Sequence, residues 1–168
     1  MILIGQYDSP FVRRVAIALA LYELPFEHKP WSTFGDMQKV QAYNPLVRVP
    51  TLVLDEGAVL IDSHSILDCL DQRVGAGRAL FPATGAARRD ALKVAALATG
   101  MGDKAVGLFY ERHLHDPVSE PWVERCRAQI LGGEFRVRIR PQLQRSLALA
   151  AAEEGVSLKR LASAKLAA

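Results

Sequence analysis

The sequence predicts an α/β domain of order β-α-β-α-β-β-α, a mixed sheet with helices on both faces, followed by a shortened all-α segment and a small strand-helix-helix tail. Three observations carry that reading. Short apolar runs alternate with helical periodicity over residues 1–74, two glycine-punctuated helical patterns follow "LFPATG", and the period changes abruptly from helical to two after Gly133.

The first strand is "ILIG" at residues 2–5. Ser9 and Pro10 then open a helix whose apolar positions are Val12, Val15, Ala16, Leu19 and Ala20, because serine caps the orphan N–H groups and proline fits the first helical turn. "FEHKP" supplies a second strand and "DMQKVQAYN" a short helix. "TLVL" and "AVLI" flank the acidic and glycine turn "DEG", the composition of a hairpin. "SHSILDCLDQR" restarts helical spacing with Ser63 read as its cap. Residues 86–114 read as one long helix and "SEPWVERCRAQI" as the next, capped by Ser119. The apolar positions of "VAALATGM" and "AVGLFY", with Trp122, are assigned to the core of this helical part.

The chain has 168 residues, half of them hydrophobic, enough to bury a core, and it holds no uninterrupted apolar run of membrane-spanning length. A cytoplasmic protein without a membrane partner is expected. Cys69 and Cys126 stand alone, without paired spacing, which argues against a disulfide scaffold or a zinc site. No metal is assigned, since His113 and His115 diverge on a helix. The net charge of +3 is unevenly spread: residues 1–133 carry 14 basic and 15 acidic side chains, whereas residues 134–168 carry 7 and 3. The basic excess belongs to the tail.

Taken in order, "SPFVRRVAIAL", "NPLVRVPTLVLDEGAVLIDSHSILDCLD" and "LFP" opening a helical segment resemble a bacterial glutathione S-transferase over residues 1–131, with a thioredoxin-like N-terminal domain. The resemblance implies that glutathione is the co-substrate and that a small electrophile is the second substrate. It makes Ser9 the catalytic hydrogen-bond partner of the glutathione sulfur and Pro50 a cis proline. It also pairs the backbone of Val49 with the cysteinyl portion and gives Asp62 and Ser63 the γ-glutamyl end. Physical chemistry supports each role. A helix N-terminus favours a thiolate, an exposed backbone edge can pair with an extended peptide, and a carboxylate can receive an ammonium. Arg48 is placed to reach the glycyl carboxylate. The family more often carries Glu where Asp62 stands.

From Phe135 the pattern alternates: Phe135, Val137 and Ile139 against Arg136, Arg138 and Arg140. Pro141 ends that strand, and two short helices follow around "EEGVSL". This segment is similar to the ribbon-helix-helix domain of HicB-type antitoxins, which implies a homodimer paired through its strands, with the three arginines directed at DNA. The expected domains are therefore 1–80, thioredoxin-like and glutathione-binding; 81–133, a shortened helical domain of transferase type; and 134–168, the ribbon-helix-helix-like tail.

Overall fold

A computed structural model describes residues 1–132. The strand, the two helices and the outward arginines expected at 134–168 lie outside the described residues, as do the roles of Arg136, Arg138 and Arg140.

The N-terminal domain follows the expected order: β1 (Ile2–Ile4), α1 (Pro10–Leu21), β2 (Glu27–Lys29), α2 (Met37–Gln41), β3 (Thr51–Val53), β4 (Val59–Ile61) and α3 (Ser63–Val74). The strands form one sheet in the order β2-β1-β3-β4. β1 runs parallel to β2 and antiparallel to β3, and β3 and β4 close an antiparallel hairpin with Leu52 opposite Leu60. This is the thioredoxin-like arrangement.

Alternation along β1 and β3 puts Leu3 and Leu52 in a core with Val12, Val15, Ala16, Ala18 and Leu19 of α1 and Ile66, Leu67 and Leu70 of α3. Ile4 and Val40 of α2 are fully buried outside that cluster. Ala18 joins the core where Ala20, expected there, is exposed.

A polar knot ties α1 to α3 and to the connector that follows. The buried Tyr22 hydroxyl donates to Asp71, the Leu80 N–H donates to the Tyr22 oxygen at 2.8 Å, and the Phe81 N–H donates to Asp71 Oδ2 at 3.1 Å. Burial, reinforced by the hydrogen bond to Asp71, pushes the Tyr22 phenol up from 10.0 to about 12. A phenol whose pKa is raised on folding holds its proton more tightly folded than unfolded. Its contribution is therefore complete below pH 10 and is lost as pH climbs from 10 towards 12. Denaturant midpoints are expected to fall over that window, and Tyr22→Phe should flatten the fall; an equal slope in both proteins would contradict it.

The helical part comprises α4 (Gly85–Leu114) and α5 (Glu120–Gly132). Ser119 precedes α5 as expected, and its N–H donates to Glu111 Oε1 at 2.7 Å. That bond, with His115 Nδ1 at 2.8 Å from Oε2, holds the buried Glu111 carboxyl below the usual range. The core assigned to this part is corrected in part. Val94, Leu97, Phe109, Tyr110 and Trp122 are exposed, whereas Ala95, Met101, Val106 and Leu108 of the assigned stretches are half-buried, as are Ala91, Thr99 and Gly102. The missing side chain at Gly102 lets the helix approach the N-terminal domain closely: a Cβ there would lie 3.3 Å from the Phe11 ring. No helix among the described residues is long and apolar enough to cross a membrane.

Candidate functional site

Four loop or cap positions converge on one end of the sheet. Gly5 follows β1 with φ +129, and an added Cβ would meet Val12 Cγ2 at 2.5 Å and Val49 Cβ at 2.7 Å. Glycine alone lets the start of α1 and the segment before β3 close on the strand end. There the Val49–Pro50 bond is cis. Buried Asn44 fixes this segment. Its amide donates to the Arg48 carbonyl at 2.9 Å and to Thr51 Oγ1 at 3.2 Å, while its oxygen accepts from Leu46 N–H at 3.0 Å.

Asp62 corrects the expected cap of α3. Asp62, not Ser63, is the N-cap, with φ +57 and Oδ1 accepting from His64 N–H at 2.8 Å and Ser65 N–H at 3.1 Å. The physical reason is reach: a carboxylate one residue earlier satisfies two orphan donors at once, which a hydroxyl at the first helical position cannot do. Asp62 Oδ2 accepts no hydrogen bond among the described residues. Ser63 is buried, and its hydroxyl accepts from Arg14 Nη1 at 3.4 Å. Burial lowers the Arg14 pKa, and the neighbouring Asp62 charge pulls it back up.

A cleft of about 310 Å³ brings Arg48, Val49, Pro50, Asp62 and Ser63 together. Arg48 is exposed, and its side chain makes no ion pair among the described residues. Val49 is half-buried, and neither its N–H nor its C=O has a partner among the described residues. Ser9 does not line the cleft. It caps α1, accepting from Val12 N–H at 3.4 Å, two residues before Phe11, which does line it.

Sequence reasoning had not assigned Phe11, Asn44, Leu46 and Ile61 to the site, nor Thr99 and Asp103, which α4 contributes to the opposite wall. The paired arginines in the first turns of α1 were a usable signal for Arg14, since a cation within a helix's apolar face needs a partner. The i, i+4 spacing of Thr99 and Asp103 was a weaker one. Among the described residues no group of His, Cys, Asp or Glu is arranged to hold a metal ion.

The N-terminal domain of glutathione S-transferase, as a family model, matches residues 3–78, and that of the HicB family matches residues 121–166. A glutathione transferase family member from Pseudomonas fluorescens Pf-5, solved with bound glutathione, is 35% identical with a TM-score of 0.71, the alignment covering 79% of this chain and 67% of that one. The chain belongs to the glutathione transferase family. A glutathione S-transferase from Methylobacterium radiotolerans, solved with glutathione sulfonate, is 28% identical with a TM-score of 0.73 over 99% of this chain and 76% of that one. The uncharacterized GST-like protein YibF of Escherichia coli K12 is 32% identical over 120 residues, 71% of this chain. The match spans 58% of that relative's length. The HicB match begins inside α5, upstream of the boundary at residue 134 that the charge distribution suggests.

Proposed function

We propose that the chain binds glutathione in this cleft and uses its thiolate against a small electrophile. The observation that carries the reading is the convergence of an unpaired Val49 backbone, a spare Asp62 oxygen and the Ser63 hydroxyl in one cleft, within a chain whose P. fluorescens relative holds glutathione. An extended tripeptide would set its γ-glutamyl ammonium on Asp62 and its carboxylate on Ser63. Its cysteinyl backbone would pair with Val49 beside Pro50, and its glycyl carboxylate would meet Arg48.

The sulfur then falls towards the start of α1. The Ser9 oxygen accepts its cap bond from Val12, and its own proton is left to donate to sulfur. A thiol near pKa 8.5 is mostly protonated at pH 7, and lowering it by about two units makes thiolate the majority form. The thiol proton passes to solvent. The sulfur lone pair forms the S–C bond as the bond from carbon to its leaving group breaks and carries its electron pair away.

Calorimetric titration with glutathione tests binding, and the thiolate absorbance of the complex tests activation. Ser9→Ala should raise the bound thiol's pKa by at least one unit while leaving affinity within about threefold. An unmoved pKa removes Ser9 from the chemistry. Turnover of a chloro-nitroaromatic is expected to be well below a typical enzymatic rate of about 10 per second. The cause is the α4 contribution to the cleft, where the exposed Asp103 carboxylate stands in the lining and leaves the enclosure of the ring incompletely apolar.

A second reading is favoured only by the HicB family match: DNA binding by a homodimer paired through residues 134–168, using Arg136, Arg138 and Arg140. It ranks below the first because it rests on a shorter segment. A salt-dependent DNA shift that disappears on deletion of 134–168 would support it.

A further inference from the structure

A second cleft, of about 290 Å³, opens between α3 and the first turns of α4. Leu67, Phe81 and Leu92 give it apolar walls, and Arg14 of α1 and Arg88 of α4 also line it. Its acidic neighbours are already engaged: Asp68 receives Arg88 at 3.1 Å, and Asp71 receives Tyr22, Leu80 and Phe81. Arg88 also donates to the Pro82 carbonyl at 3.2 Å. Arg14 is different. Its one hydrogen bond among the described residues is the 3.4 Å contact with Ser63, so most of its five donors are open in a half-buried setting.

A desolvated guanidinium fork beside an apolar wall is matched by a carboxylate on an apolar body: two parallel N–H···O bonds for the head and hydrophobic contact for the rest. We infer that this second cleft binds an apolar monocarboxylate, its carboxylate held by Arg14 and its body against Leu67, Phe81 and Leu92. The inference does not rest on the glutathione reading. It does tie the two clefts together, because Arg14 also holds Ser63, and His64 lines both.

The test is titration of the full chain with 1-naphthoate, with 1-naphthylmethanol as the uncharged control, followed by calorimetry and by backbone amide shifts. The acid is expected to bind at least tenfold more tightly than the alcohol. Shifts should centre on Ser65, Leu67 and Leu92 and spare Leu46 and Val49 of the first cleft. Leu92→Glu, which adds like charge at an exposed position of α4 that does not line the first cleft, should weaken the acid at least tenfold. Arg14→Met should do the same. Three results overturn the inference: no binding of the acid at millimolar concentration, equal binding of the alcohol, or shifts centred on Leu46 and Val49. If Leu92→Glu lowers the melting temperature, the amide shifts of the unaltered chain still decide between the two clefts.

Discussion

Replacing Gly5 by alanine is expected to destabilise the protein by about 2 to 5 kcal/mol, from overpacking of about 1 to 3 kcal/mol added to a backbone cost of about 1 to 2. Both terms act at this position. Its φ of +129 is one that side-chain-bearing residues rarely adopt, and the new Cβ would sit 2.5 Å from Val12 Cγ2 and 2.7 Å from Val49 Cβ. Neither neighbour can step aside easily. Val12 is fully buried, and Val49 is held between Pro50 and the Arg48 carbonyl that Asn44 grips. Gly57 is the matched control: its φ is +88, but nothing lies within 4 Å of its Cβ position, so Gly57→Ala should cost only the backbone part, about 1 kcal/mol. Denaturant titration of both variants checks this. Equal midpoints would mean that the crowding at the end of β1 relaxes freely.

Much of the fold was legible because its signals are local. The apolar runs "TLVL" and "AVLI", the acidic turn between them, and the Ser9-Pro10 start of α1 each act within a few residues, and each element lies where these signals place it. The cap of α3 was misjudged by one position because Asp62 and Ser63 are both good caps. Backbone geometry decides between them: Asp62 takes φ +57, and its carboxylate spans two N–H groups. The helical part was misread for another reason. Periodicity marks where large apolar residues lie, but α4 meets the N-terminal domain closely at Gly102, whose lack of a side chain admits the Phe11 ring. Within the cleft, only Arg48, Val49, Pro50, Asp62 and Ser63 were assigned from the N-terminal motifs; Phe11, Asn44, Leu46 and Ile61 of the same motifs were missed. Thr99 and Asp103 were missed too, since only the docking of α4 across Phe11 brings them to the cleft.

The same geometry dictates how the γ-glutamyl end must be tested. Asp62→Ala would be uninformative, because it removes the α3 cap and puts alanine at φ +57 together with removing the charge. Asp62→Asn separates these effects. Asparagine tolerates positive φ, and its oxygen can still accept from His64 and Ser65 N–H, so stability should change by less than about 1 kcal/mol. The charge offered to an ammonium is gone. Ser63→Ala removes the second partner, a buried hydroxyl that Arg14 orients by donating to it, leaving the serine proton to donate into the cleft. Charge-assisted bonds contribute about 1.5 to 3 kcal/mol each and neighbouring bonds do not add fully. Asp62→Asn with Ser63→Ala is therefore expected to weaken glutathione by about 2 to 4 kcal/mol, roughly 30- to 1000-fold. Cysteinylglycine, which lacks the γ-glutamyl group, supplies the internal check: its weaker binding, through Val49 and Arg48, should be the same in the parent and the double variant. Unchanged glutathione affinity in a folded double variant would falsify the placement of the γ-glutamyl end on Asp62 and Ser63. An equal loss for both ligands would instead show that the substitutions had disturbed the segment around Val49.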